Sequence, residues 1–374
     1  MTTATRIARA VVVHEDGGQP VLEEVEVCPP RWGEVLVRIV ASGLCASDAH
    51  VVHGRSPVAR TPCVLGHEGA GVVEEIGPGV RSVRPGDHVI IALVGLCGEC
   101  SYCVDAKPWL CNGPDTLRAM IGVMSDGRTR VRLGDKDLFP FLGAGTMSEY
   151  TVVRAAQVVK VDCDLPLEQI CLLGCGVVTG TGAALRTARV QPGASVVVIG
   201  CGGVGLSVIQ GARLAGATSI VAADTKPDKL ELARRLGATD TVDVGSADLF
   251  EQVIAMHPEG VDFAFEVVGI PQLAADSLKL LRRGGTTVVV GSCPPGSVIP
   301  VTREDLMMER RIMTTAGGST SPQLDIPRLI RAYRVGRLQL DEMVSSRLPF
   351  TDYAQAFAAL EAGSAARTVL TFSE

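Results

Sequence analysis

A mixed fold of two domains is what this sequence predicts: a β-rich unit, interrupted by a doubly wound α/β unit, whose last elements return at the end of the chain. Three observations carry that reading. From Arg9 to about Ile91 the chain runs in short β-branched stretches such as EVLVRIV, GAGVVEEIG and DHVIIALV, broken by turn formers in PPRWGE, GPGV and RPGD. From about Val177 apolar strands alternate with amphipathic helices, which demands a parallel sheet covered on both faces. Finally, 374 residues exceed the roughly 100 to 200 that one core usually holds.

The first domain is expected over 1–177, as a small distorted barrel or sandwich. Within it lies a cysteine-rich lobe at about 96–112, followed by a stretch from Gly113 to Met147 with little periodicity. That stretch is too long for an ordinary connection and is expected to line a site or a partner surface. The second domain, 178–318, opens with a helical VVTGTGAALRTARV. Strands SVVVIG, SIVAAD, TDTVDV, VDFAFEVVG and GTTVVVG then alternate with helices LSVIQGARLAG, KPDKLELARRLG, ADLFEQVIAMH and PQLAADSLKLLRRG. The remainder, 319–374, supplies a helix IPRLIRAYRVG and a strand RTVLTF, which complete the first domain.

Composition narrows the class. A net charge of −6 leaves no basic stripe for nucleic-acid phosphates. The N-terminus lacks the apolar run of a signal peptide and no stretch of eighteen apolar residues occurs, so no membrane association is expected and a cytoplasmic location is. In a reducing compartment clustered cysteines point to metal ligation or redox chemistry rather than disulfides. Cys28, Cys63, Cys163, Cys171, Cys201 and Cys293 read as small core or loop residues.

Gly200, Gly202 and Gly205 form G-x-G-x-x-G between an apolar strand and a helix, with Gly203 and Val204 between them. The first glycine permits the tight turn, the second lets a pyrophosphate approach the backbone, and the third allows close packing of helix on strand. Asp224 ends the next strand, where a carboxylate can bond both ribose hydroxyls and would repel a 2′-phosphate. This favours NAD as the coenzyme over NADP.

Cys97, Cys100, Cys103 and Cys111 follow C-x2-C-x2-C-x7-C. Four thiolates close a tetrahedral zinc shell, so such an ion would be structural; an iron–sulfur cluster is the chemical rival. A second set is dispersed: Cys45 in GLCASDAH, His67 and Glu68 in GHEGAG, and Cys175 in GCGVVTG. Taken singly, each reads equally as a core cysteine, a turn histidine or a solvated acid. As a set, two thiolates and one imidazole would leave a zinc position open for water or substrate.

These motifs together resemble the zinc-dependent alcohol dehydrogenases of the medium-chain dehydrogenase/reductase superfamily, in the long-loop branch that includes the dimeric liver-type (class I/III-like) enzymes. The resemblance runs through GLCASD, GHEGAGVVEEIGPGV, RPGDHV, the four-cysteine lobe, GCGVVTGTG, GCGGVGLSVIQGARLAGA and RTVLTF. It implies a GroES-like catalytic domain, a Rossmann coenzyme domain, two zinc ions per chain, NAD, a small alcohol or aldehyde as substrate, and a homodimer joined near Thr286 to Val290 and Arg311 to Thr315. It further implies that Cys45, His67 and Cys175 hold a catalytic zinc, with Glu68 binding it directly or standing beside it. Asp48 would fix the tautomer of His67. Ser47 would bond the substrate oxygen, and His50 would pass its proton to water. Thr179, Val204, Lys229 and Arg367 fall where the family contacts coenzyme, Arg367 against its pyrophosphate. Leu93, Phe141 and Leu142 fall where it lines an apolar alcohol pocket.

The chain also departs from the pattern. Ala46 stands where many relatives carry a basic residue against the coenzyme phosphate, a loss expected to weaken NAD binding. The loop Arg55 to Cys63 lacks the acidic pair with which glutathione-dependent formaldehyde dehydrogenases engage their adduct. Leu93 replaces a frequent aromatic ring and implies room for a bulkier alcohol. Two other readings stand beside the alcohol dehydrogenase: a formaldehyde dehydrogenase acting on a mycothiol-type adduct, and a zinc-stabilised NAD-binding redox sensor without turnover.

Overall fold

The computed structural model describes residues 4–93, 95–363 and 366–372. The chain divides into two compact units: Met1–Cys175 with Ser321–Arg331 and Val344–Glu374, and Gly176–Thr320 with Ala332–Met343.

In the first unit, strands Arg6–Val13, Val21–Val27, Val131–Leu133, Lys136–Pro140 and Cys63–Val64 close into a barrel. Beside it, seven strands form a mixed sheet in which Glu34–Gly43 is central. Glu34–Gly43 pairs antiparallel with Glu68–Ile76, with Tyr150–Arg154, and with the terminal strand Arg367–Thr371. The end of the chain pairs into this sheet, with Gly43 opposite Val369. It comes in two pieces, because Ala332–Met343 belongs to the second unit. There the Gln210 amide donates to the Gln339 carbonyl, and the Arg213 guanidinium to that of Arg337.

The stretch 113–147 has more regular structure than its weak periodicity suggested. Pro114–Met120 is helical, and Val131–Leu133 with Lys136–Pro140 make a hairpin that completes the barrel. These elements are too short for a period to show. A buried ion pair secures them: Arg130 donates from Nε and Nη2 to the two oxygens of Glu34 at 2.7 and 2.6 Å, and from Nη2 to Asp126 at 2.9 Å. Arg130 and Glu34 are 2% and 4% exposed, so each relies on the other for its solvation.

The second unit is a six-stranded parallel sheet. Its order is Asp240–Asp243, Ser219–Asp224, Ser195–Ile199, Val261–Glu266, Leu281–Val289, Arg311–Thr314, the 3-2-1-4-5-6 arrangement of a doubly wound fold. One expected helix is shorter than the sequence suggested. Pro271–Asp276 passes through a 3₁₀ turn, Ser277–Leu280, and the LRRG segment is already strand, since Leu281 pairs with Val261. Val197, Ile199, Val221, Ala223, Val242, Val253, Ala264 and Leu278 share one core cluster of this unit.

Replacing Arg130 by Met strands the Glu34 carboxylate in the core. It should lower unfolding free energy by about 3 to 5 kcal/mol, read from urea denaturation. The double variant Glu34→Leu/Arg130→Met should recover most of that loss.

Candidate metal centres and coenzyme crevice

Cys45 is the N-cap of the short helix Ala46–Val52, and Asp48 is its third residue. That placement lets one carboxylate serve three groups. Asp48 accepts from the Cys45 N–H at 3.1 Å, from the Gly66 N–H at 2.9 Å, and lies 3.3 Å from His67 Nδ1. Asp48, His67 and Glu68 are fully buried. Gly66 holds φ +91°, and a Cβ there would strike the backbone of Met147, so only glycine delivers the chain to His67. Gly43, cross-strand from Glu68, leaves the space that the carboxylate occupies.

The ligand atoms of Cys45, His67, Glu68 and Cys175 all lie within 4.8 Å of one another. His67 Nε2 is buried with no hydrogen-bond partner among the described residues, while Nδ1 is held by Asp48. A buried nitrogen left bare beside two thiols is costly in a metal-free protein and is what a metal ligand requires. The electrostatics agree. A hydrogen bond with Cys175 pulls the Cys45 thiol well below its usual range, against burial and with help from His67. Burial would lower His67, but the charge and hydrogen bond of Asp48 and the Cys45 thiolate outweigh it and raise the ring to about 10.

Arg367, expected against coenzyme phosphate, is 5% exposed and places its guanidinium on Glu68. Sequence reasoning missed this pair, which spans nearly the whole chain and follows no spacing rule. Ser47 and His50, three residues apart, share one face of the helix Ala46–Val52, and Cys45 Sγ lies 3.8 Å from Ser47 Oγ. Phe141 meets the His67 ring edge-on at 5.3 Å. It shares a cluster with Leu142, and Leu93 packs against that cluster half-buried.

In the cysteine lobe the Cys97–Cys103, Cys100–Cys111 and Cys97–Cys111 sulfurs are separated by 3.9, 3.8 and 3.4 Å. Tetrahedral zinc with Zn–S of about 2.3 Å places its sulfurs about 3.8 Å apart. One small ion fits; a multi-iron cluster would spread its thiolates around a larger body. Backbone N–H groups of Cys97 and Cys100 donate to Cys111 and Cys97 sulfurs at 3.4 and 3.3 Å. Hydrogen bonds from Thr116 and backbone overcome the effect of burial and hold the Cys111 thiol at about 6.

In the second unit the glycine motif follows strand Ser195–Ile199 and opens helix Gly203–Ala215. Two of its glycines are demanded by the protein: Gly200 takes φ +99°, and a Cβ on Gly205 would overlap the Gly200 carbonyl. Gly202 differs, for a Cβ there meets nothing within 4 Å. Its bareness suits an external group approaching the helix N-terminus, as a coenzyme pyrophosphate does. Asp224 accepts from the Cys201 and Lys226 N–H groups at 2.8 and 3.0 Å, which fixes it beside that turn. Thr179 Oγ1 is buried without a partner among the described residues. Gly203 is buried, and Val204 and Lys229 are half-buried on the helices Gly203–Ala215 and Pro227–Leu236.

Residues 31–163 match the alcohol dehydrogenase GroES-like domain, and 203–333 the zinc-binding dehydrogenase domain. The chain is 39% identical to an S-(hydroxymethyl)glutathione dehydrogenase of Synechocystis, over 98% of this chain and all of that one. It is 40% identical to a class-3 alcohol dehydrogenase of Myxine glutinosa, over 93% of each. Among solved structures it matches an alcohol dehydrogenase zinc-binding domain protein from Burkholderia ambifaria with TM-score 0.93 and 34% identity, covering 99% of this chain and all of that one. It matches the benzyl alcohol dehydrogenase of Acinetobacter calcoaceticus with TM-score 0.92 and 32% identity, covering 98% of this chain and all of that one. With two zinc-type centres, a dinucleotide crevice and full-length relatives, the chain belongs to the zinc-dependent, NAD-linked alcohol dehydrogenases of the medium-chain dehydrogenase/reductase superfamily.

Proposed function

We propose that the protein oxidises a bulky apolar primary alcohol, or reduces the matching aldehyde, with NAD, using Cys45, His67 and Cys175 to hold the catalytic zinc. The bare, buried His67 Nε2 beside two cysteines is the observation that carries this assignment. When bound, zinc supplies a Lewis acid with a position for the substrate oxygen, and NAD supplies the hydride acceptor. The chain does the rest. Asp48 keeps the His67 Nδ1 proton, so that Nε2 faces the metal. Ser47 Oγ takes the proton of the substrate hydroxyl, and His50, on the same helix face, releases it to water. Glu68, paired with Arg367, brings a carboxylate beside the metal without adding an uncompensated charge. Cys97, Cys100, Cys103 and Cys111 hold the structural zinc.

On the coenzyme side, Thr179, Gly200, Gly202, Gly203, Val204, Gly205, Asp224 and Lys229 form the crevice. The locked Asp224 carboxylate selects NAD over NADP. Phe141, Leu142 and Leu93 make the alcohol pocket apolar, in line with the likeness to a benzyl alcohol dehydrogenase. The relatives named as S-(hydroxymethyl)glutathione dehydrogenases favour a second reading, a thiol-adduct formaldehyde dehydrogenase. Against glutathione stand the exposed Arg55 and Arg60, in a loop where an acidic pair would engage that adduct. The sensor reading has no degenerate ligand in its favour.

The protein is taken to work as a cytoplasmic homodimer. Among the described residues no single helix is long and apolar enough to cross a membrane. The edge strand Arg311–Thr314 and nearby Leu306, Met307, Met308 and Met313, all at least 40% exposed, offer a surface for a second copy.

Three measurements test these assignments. Metal analysis should find two zinc ions per chain; Cys45→Ala should keep one and lose activity, whereas Cys103→Ala should lose the other and unfold at lower temperature. NADH formation should give higher kcat/KM for benzyl-type than for short alcohols, and formaldehyde oxidation should gain nothing from mycothiol or glutathione. A strong thiol-dependent formaldehyde activity would install the second reading. Sedimentation should report a dimer, and Met313→Lys should shift it toward monomer.

A further inference from the structure

The mechanism leaves the buried carboxyl group of Glu266 unused. Glu266 is the last residue of Val261–Glu266, the strand beside Ser195–Ile199 at the point where strand order reverses. It lies in register with Ile199, immediately before Gly200, and with Val289. Its side chain is fully buried, and burial pushes the carboxyl up from its ordinary value despite bonds that pull it down. Oε1 accepts from three successive backbone N–H groups, Val268 at 2.8 Å, Gly269 at 2.8 Å and Ile270 at 3.4 Å. Oε2 has no partner among the described residues.

Those three donors belong to one turn, and that turn touches its neighbours on both sides. A Cβ on Gly200 would come within 2.8 Å of Val268 Cγ2, so the first glycine of the phosphate-binding motif abuts it directly. On the other side Gly269, at φ +88°, would carry a Cβ within 2.6 Å of the Ser292 carbonyl. The Glu266 backbone carbonyl accepts from Val290 and Gly291 at 2.7 and 3.0 Å, which ties in the loop after the next strand. Three loops at the carboxyl ends of three adjacent strands therefore meet around one residue and the turn it holds. Val268 and Ile270 remain 49% and 46% exposed on the outer side of the turn. Ligands of doubly wound sheets bind at this end, at the reversal point.

We propose that Glu266 is a positioning residue for the coenzyme: it gathers the N–H groups of Val268, Gly269 and Ile270 and so sets the wall of the crevice facing the glycine motif. This rests on that crevice being the NAD site. Glu266 is not among the groups assigned to the metal or the alcohol, so its effect on turnover is expected in coenzyme affinity. The amide of Glu266→Gln accepts these bonds less strongly and buries two donors where Oε2 finds no partner.

The test compares zinc-loaded wild type, Glu266→Gln and a control, Ser277→Ala. The control loses a buried hydroxyl bonded to Thr287 and the Ala274 carbonyl in the same unit. NADH fluorescence titration should show Kd raised about tenfold in Glu266→Gln, within the range by which neighbouring groups couple. KM for NAD should rise in step, with kcat and KM for alcohol held. Ser277→Ala should lower Tm and leave both coenzyme constants unchanged. Should Glu266→Gln fail to fold, Gly269→Ala distorts the same turn while the carboxyl itself is retained, and should raise Kd likewise. Wild type that does not bind NADH overturns the crevice reading and the proposal with it. Wild type that binds, with unchanged Kd in Glu266→Gln or in Gly269→Ala, overturns the proposal alone, as does a loss of kcat at constant KM for NAD.

Discussion

One carboxylate with no access to water organises the catalytic half of this protein. Asp48 joins the Cys45 amide, the Gly66 amide and the His67 ring. A helix N-terminus and the start of a strand are thereby clamped with their ligand atoms facing each other. Burying a negative charge is expensive unless it is paired and hydrogen-bonded, and here the cost is met by groups that must in any case be held still. The glycines serve the same constraint from the other side. Gly66 turns the chain toward His67, and Gly43 vacates the volume into which Glu68 folds. A cation in this cluster would meet donors already aligned, so little ordering entropy is spent when it binds.

The two halves solve the same problem with different means. In the first unit, positions are set by charged side chains buried in pairs, Asp48 with His67, Glu68 with Arg367, Glu34 with Arg130. In the second, backbone does most of the placing. Close contacts at Gly200 and Gly205 shape the turn, and Asp224 and Glu266 act by collecting N–H groups rather than by meeting cations. The difference suits the ligands. A metal needs side-chain donors, whereas a pyrophosphate is recognised by main-chain amides.

Much of this was legible in the sequence because the relevant signals are local. C-x2-C-x2-C-x7-C must wrap one point, and the glycine motif between an apolar strand and a helix fixes its own geometry. The alternation of strand and helix from about Val177 carried the sheet. What stayed hidden is what distance in the chain conceals. Arg367 was expected on the coenzyme, and its partner Glu68 lies 299 residues away. Arg130 and Glu34 gave no periodic hint, and the barrel hairpin around Gly134 is too short to show alternation. Glu266 did leave a trace. It is the acid that closes VDFAFE directly after the apolar run FAF, a place where a charge costs stability unless something uses it.

The terminal strand Arg367–Thr371 has a further consequence for how the molecule is made. It lies against Glu34–Gly43, and the guanidinium that neutralises Glu68 enters with it. During synthesis Cys45, His67 and Glu68 leave the ribosome early, while the residues that finish their sheet follow only after the whole α/β unit has emerged. The first unit therefore waits, with an open sheet flank and without the cation that neutralises Glu68, until that strand has been made. The α/β unit, continuous over Gly176–Thr320 apart from one short late segment, can fold in the interval and be the first stable part of the nascent protein.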